Sequence, residues 1–258
     1  MAALKIIYLD EDIAIVNKLS PIPVQKDKSG DEDAQSLLAS LLANREKGEN
    51  SSLKSRKKAA PFLEAAHRID RRTSGIVVFA RNIASLRALE KMFRDKEVAK
   101  TYLACVEKEP SPPEARLENL LVQDKRGNRA IAKQSGDAGA PGVGGHTEFR
   151  AERAVLEYAL IAKSDRYFFL SVAPETGQHH QIRAQLAAIG CPIKGDLKYG
   201  ARRSNPSGKI LLHAWKIEFR HPRTKAPLVL VAEPPSDEPL WNFFNSLQQF
   251  DAVEKKNE

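Results

Sequence analysis

The apolar residues of this chain come in short runs, and those runs do not alternate with helices in a regular strand–helix rhythm. A chain patterned this way folds as α+β, with a mixed, mostly antiparallel β-sheet and flanking helices, rather than as a doubly wound parallel sheet. Residues 4–9 and 13–17 are β-rich and flank Asp10-Glu11-Asp12, the signature of a hairpin. The run 76–80 (IVVFA) suits a buried strand. Asn82 then stands where it can cap a helix carrying Ile83, Leu86, Leu89 and Phe93 at helical spacing. KTYLACVE (100–107) reads as a strand, and so do stretches near 154–162, 167–173, 210–219 and 228–232. Helices are expected over 34–43, from Ile182 to a Gly190 cap, and over roughly 237–248.

Two segments lack a core pattern. The polar stretch REKGENSSLKSRKKAAP (45–61) makes 45–60 read as a basic loop, and 125–146 reads as a loop because six of the chain's 14 glycines fall in 127–145. One domain over 1–250 carrying these two insertions, followed by a frayed tail at 251–258, accounts for the 258 residues.

Two cysteines, Cys105 and Cys191, cannot staple a chain this long, so a disulfide scaffold is excluded. No apolar run approaches the ~20 residues that span a bilayer, so no membrane partner is expected. The first residues lack a basic leader, and a cytoplasmic location is expected. A net charge of +8 (41 Lys and Arg against 33 Asp and Glu) favours a polyanionic partner. The Walker phosphate loop, the dinucleotide fingerprint and the GxSxG elbow are all missing from the sequence, which points away from ATP, NAD and serine-esterase chemistry.

The densest chemistry lies in AAHRIDRRTSGIVVFARN (65–82). Asp70 sits among His67, Arg68, Arg71 and Arg72, and nearby cations favour an ionised carboxylate. Such an Asp suits a nucleophile or a stabiliser of developing positive charge; on charge pattern alone, a surface ion-pair cluster is the simpler reading. Thr73-Ser74-Gly75 reads as a tight turn aiming the preceding loop. In PETGQHHQIRAQLAAIGCPIKGDLKYG (174–200), His179, Gln181 and Arg183 offer polar groups near a helix N-terminus, where backbone N–H groups favour phosphate. His179 and His180 equally suit an ordinary surface, and no zinc-ligand spacing accompanies them, so no metal is expected. Tyr102 on its strand is either a core aromatic or a platform for a base. His213 reads as core.

These blocks resemble the RluA-type RNA pseudouridine synthases. HRIDRRTSG (67–75) is similar to the family's catalytic signature, His-Arg-Leu-Asp followed by two variable positions and Thr-Ser-Gly. NKLSPIPVQ, the Phe93–Val98–Lys100–Tyr102 run, TGQHHQIRAQLAAIGCPIKGDLKYG and LLHA follow in the family's order, together covering most of 13–222. Leu19, Ile22, Arg72, Gln178 and Gln185 depart from the commonest family residues.

The resemblance implies the pseudouridine synthase fold, with an active-site cleft across the sheet, and isomerisation of uridine in RNA to pseudouridine. Uracil is detached from ribose, rotated and rejoined through carbon 5, a reaction needing no cofactor. It implies Asp70 as the catalytic residue, Tyr102 stacked on the uracil, and Arg183 paired with Asp70. Whether Asp70 attacks the ribose or first removes a proton is open at this point. RNA contacts are expected from His67, Arg68, Arg71, Thr73, Lys100, His180 and Gln181, and from Lys54, Arg56, Lys57 and Lys58 of the basic loop. The expected partner is structured ribosomal or transfer RNA, with no obligatory protein partner and a monomeric chain. Two other readings are a catalytically silent RNA-binding protein on the same fold and a glycoside hydrolase, for which no second acid stands out beside Asp70.

Overall fold

The computed structural model describes residues 4–49, 61–124, 127–133, 151–205 and 208–254. They cluster into two compact units, the first from 1–99 and 214–234, the second from 100–213 and 235–258. Both are built on antiparallel pairing, as the short strand-like runs predict.

In the first unit, β1 (Leu4–Leu9) and β2 (Ile13–Lys18) form the expected hairpin. Its turn is fixed by Asp10, whose Oδ1 accepts from the N–H groups of Asp12 and Ile13 at 2.8 Å each. Strand β2 pairs with β4 (Ser74–Ala80), the short β3 (Glu64–Ala65) also pairs with β4, and β4 leads on to β10 (Leu212–Arg220) and β11 (Pro227–Val231). Every residue of β2 and β4 is buried, which explains why both read as continuous apolar runs rather than alternating ones. Helix α1 (Ala34–Glu49) precedes β3. Helix α2 (Ile83–Arg94) is capped by Asn82, which accepts from Ser85 N at 2.8 Å, and it buries Leu89 and Met92 against Ile13, Ile15, Ile76 and Val78.

The second unit runs β5 (Ala99–Val106), β9 (Phe168–Pro174), β8 (Ala151–Lys163), β6 (Glu114–Asp124), β7 (Arg129–Lys133) in sheet order. Helix α3 (Gln181–Ala188) sets Ile182 and Leu186 into a core of Leu156, Tyr158, Leu170 and Val172. Helix α4 (Pro239–Glu254) brings Trp241 and Phe244 to Phe169, with ring centroids 6.2 and 5.3 Å away. The mixed, mostly antiparallel sheet with flanking helices is the one expected, and none of the described helices is long and apolar enough to cross a membrane.

Five local expectations need correction. Strand β7 occupies part of the expected 125–146 loop, because Arg129–Lys133 pairs with Leu120–Asp124. Helix α1 continues to Glu49, into the expected 45–60 loop, and α4 runs to Glu254, into the expected tail. Strand β6 was not anticipated, although its outward Glu114, Arg116 and Glu118 alternate with half-buried Ala115 and Leu117. The turn expected at 73–75 lies earlier, at 70–73, where Thr73 N donates to Asp70 O at 3.0 Å. Ser74 and Gly75 already belong to β4.

Candidate functional site

Asp70 lies half-buried on the connection that enters β4. The residues after it are held by a lysine that the sequence reading passed over. Lys18, at the end of β2, is buried, and its Nζ donates to the carbonyls of Ile22 and Thr73 at 2.7 Å, Leu19 at 3.2 Å and Arg71 at 3.3 Å. An ammonium has three N–H donors, so four acceptors leave some of these bonds shared. Burial pulls the Lys18 pKa from its usual 10.5 down to about 7; the negative charge of Asp70 acts in the opposite direction. Ser20 adds a second tie, its Oγ donating to Arg72 O at 2.8 Å.

Arg71, Thr73 and His67, expected at the RNA, also make bonds and packing contacts within the protein. Arg71 reaches Pro21 O at 3.3 Å and Ser29 Oγ at 3.0 Å, and forms ion pairs with Asp31 and Asp27, so its guanidinium braces the 21–31 segment. Thr73 is 1 % exposed, too buried to meet a ligand. His67 packs on Phe93 at 4.7 Å between ring centroids and accepts from Val78 N at 3.1 Å. Arg68 and Arg72 are exposed. Lys54, Arg56, Lys57 and Lys58 lie outside the described residues.

The loop clasp makes a prediction. Lys18→Met keeps the length of the side chain and leaves four carbonyls without their donor. A loop displaced by about 1 Å can cost on the order of 10²-fold in turnover, and a loss of that order is expected in single-turnover rate. The pH dependence of stability supplies a second check. Between about 7 and 10.5 the folded state holds fewer protons on Lys18 than the unfolded chain does, so Lys18 makes stability rise with pH across that window. Wild-type stability minus that of Lys18→Met should therefore climb, by at most about 1.4 kcal/mol per pH unit. A flat difference from pH 7 to 10 in denaturant titrations would contradict the buried-ammonium account.

In the second unit, Tyr102 is half-buried on β5, opposite Val172 of β9, and packs against the core beneath α3. Lys100 stands two residues earlier and so projects to the same face. Its pKa is lowered by desolvation, and its Nζ lies 3.9 Å from where a Cβ on Gly177 would stand. His180 enters α3 with φ of 56°, and its Nδ1 meets the Tyr199 hydroxyl at 2.9 Å. His179 stacks on it at 3.8 Å and reaches Gln123 Oε1 at 3.2 Å.

Gln181 is a correction. It is 4 % exposed, and both ends of its amide are engaged within the protein. Its Oε1 accepts from Thr176 Oγ1 at 2.7 Å and Gln178 N at 3.0 Å, and its Nε2 donates to Val155 O at 2.9 Å. Gln181 therefore shapes the turn into α3 rather than touching RNA. Arg183 is 4 % exposed and is held in a two-pronged bond to Asp196, Nε to Oδ2 at 2.6 Å and Nη2 to Oδ1 at 2.9 Å. The sequence reading did not name Asp196, although it lies in the GDLKYG block.

Comparisons with known proteins place the chain in a family. Residues 12–188 match the family model for RNA pseudouridylate synthase. The dual-specificity RNA pseudouridine synthase RluA of Escherichia coli K12 is 31 % identical over 220 residues, covering 85 % of this chain and 88 % of its own. An uncharacterized RNA pseudouridine synthase of Zymomonas mobilis is 28 % identical over 221 residues, covering 84 % and 88 %. The solved structure of human RNA pseudouridylate synthase domain containing 4 shares the fold, with a TM-score of 0.68 at 23 % identity, covering 90 % of this chain and 88 % of that one. With a family model spanning the Asp70 loop, Tyr102 and Arg183, and a relative matched along most of both chains, this chain belongs to the RNA pseudouridylate synthase family.

Proposed function

We propose that Asp70 carries the isomerisation of uridine to pseudouridine in this chain, acting on accessible uridines of structured ribosomal or transfer RNA, as a monomer in the cytoplasm. The observation that carries the assignment is the Lys18 clasp: a buried ammonium bonded to the carbonyls of Arg71 and Thr73 fixes the backbone directly after Asp70. The reaction breaks the N1–C1′ bond and forms a C5–C1′ bond. Carbon 5 loses its proton and N1 gains one, so atoms balance and no oxidant enters. Asp70 supplies the carboxylate that meets the ribose as the glycosidic bond opens. Tyr102 offers its ring as a platform for a base turned out of its stack, with its hydroxyl available for the carbon-5 proton. Arg183, oriented by Asp196, supplies fixed positive charge.

Lys100 is assigned a phosphate. A desolvated ammonium gains most from an anionic ligand, and it shares a strand face with Tyr102. Lys100→Gln should weaken RNA binding and flatten the log–log salt slope by about 0.7, the loss of one single-strand phosphate contact. An unchanged slope would remove Lys100 from the RNA interface.

Two relatives carry names that bear on the target: the Escherichia coli protein is called dual-specificity, and a Borreliella burgdorferi relative is a ribosomal large subunit synthase. Chemical mapping of pseudouridine in ribosomal and transfer RNA, from cells with and without this chain, tests the reading. Discrete sites that vanish with the chain and return with the wild type, but not with Asp70→Asn, are expected. Identical maps in both cells would overturn it.

A further inference from the structure

Three elements of the second unit meet on Tyr199, the last residue of a 3-10 turn at Leu197–Tyr199. Its hydroxyl accepts from Ala130 N on β7 at 2.8 Å and meets His180 Nδ1 at 2.9 Å. The ring lies beneath Arg183, whose guanidinium carbon is 4.9 Å from the ring centroid. Asp196 fixes two guanidinium nitrogens within the guanidinium plane, and the ring fixes the plane itself.

The same turn is tied to the β6–β7 hairpin elsewhere. Lys198 Nζ donates to Asn128 O at 3.0 Å, at the hairpin's turn. Tyr199 also packs into the small apolar cluster of Leu121, Ala130, Ala154 and Ala184, which joins both hairpin strands to β8 and α3. His179 adds its bond to Gln123 on β6. The hairpin and the arginine thus share one aromatic side chain.

We propose that Tyr199 is a positioning residue for the isomerisation, through which the seating of the β6–β7 hairpin sets the orientation of Arg183. The proposal rests on the assignment of Arg183 to that reaction. Tyr199→Phe keeps the ring and breaks both hydroxyl bonds; Tyr199→Leu also removes the surface beneath the guanidinium. Single-turnover rates on RNA should fall for both variants, with the Leu variant losing about 10- to 100-fold.

A side chain that acts through Arg183 loses its effect once Arg183 is altered. In an Arg183→Lys background, Tyr199→Leu should therefore cost less than about twofold, while its effect on melting temperature persists. Equal fold-losses in the two backgrounds would overturn the proposal, as would a wild-type rate for Tyr199→Leu. The Arg183 Nε–H resonance gives a readout independent of turnover. Shielded by the ring in the wild type, it should shift downfield and exchange faster with water in Tyr199→Leu, with a smaller change in Tyr199→Phe. An unmoved resonance in both variants overturns the proposal, whereas a wild type that forms no pseudouridine but shows these shifts overturns only the assigned reaction. Should the Leu variant fail to fold, the Phe variant decides by the same two measurements.

Discussion

Asp70→Asn should leave a folded protein that binds RNA and does not turn it over. The substitution preserves shape and removes the only property the reaction uses, a carboxylate able to act as nucleophile or base. The turn that presents residue 70 uses its carbonyl, which accepts from Thr73 N at 3.0 Å, so the loop keeps its path. Turnover should fall by at least the 10²–10⁴-fold that general acid–base help is typically worth. The change has a second, electrostatic consequence. The charge of Asp70 favours the ammonium of Lys18 against its burial, so its removal pushes the Lys18 pKa further below about 7. A depressed lysine costs stability where it must still be charged, so Asp70→Asn should be more destabilised relative to wild type at pH 6 than at pH 9. Melting curves at the two pH values, measured beside single-turnover rates, check both effects. Residual turnover within tenfold of wild type would remove Asp70 from the chemistry.

Gly75→Ala should abolish the fold of the first unit rather than its chemistry. Gly75 has φ of 113°, and a Cβ there would stand 2.2 Å from Ala214 O and 2.6 Å from Ala214 N. Those atoms are β10 backbone and cannot swing aside as a side chain would. The backbone conformation and the clash both oppose the substitution, and a loss of about 4 kcal/mol or more is expected, at the extreme of single substitutions. Gly30→Ala is the matched control: φ is 76°, but nothing lies within 4 Å, so it should cost only about 1 kcal/mol. Denaturant titrations that give the two variants equal stability would refute the close approach of β4 to β10.

These two residues also show how far the sequence could be read. The β1–β2 hairpin, β4 and the Asn82-capped helix were legible because each is specified locally, by turn residues, a dense apolar run or a cap. Asp70 was legible as a candidate because HRIDRRTSG (67–75) is contiguous in the chain and resembles a family signature, whereas its charge pattern alone reads as a surface ion-pair cluster. Gly75 reads locally as part of a turn, because the reason for it lies in Ala214, far away in sequence. Lys18 was missed because a strand lysine ordinarily reaches solvent, and nothing local announces carbonyls from a loop more than fifty residues on. Arg183 was legible as a candidate, but the partner that holds it was not. Gln181–Leu186 are all buried, so no polar stripe marks which residues face a partner, and Asp196 is supplied by a later loop. Strand β7 was lost in a glycine-rich stretch whose composition outweighed five residues of pairing.

RNA tritiated at carbon 5 of uridine offers the most direct test of the central claim. When carbon 5 becomes the point of attachment to ribose, its hydrogen must leave. The chain should therefore release tritium to water in step with pseudouridine formed, with no free uracil and no change in RNA mass beyond the exchanged hydrogen. Asp70→Asn should release none while still binding the RNA. Free uracil or an abasic site among the products would make the chain a glycosidase, and tritium release undiminished in Asp70→Asn would contradict the account.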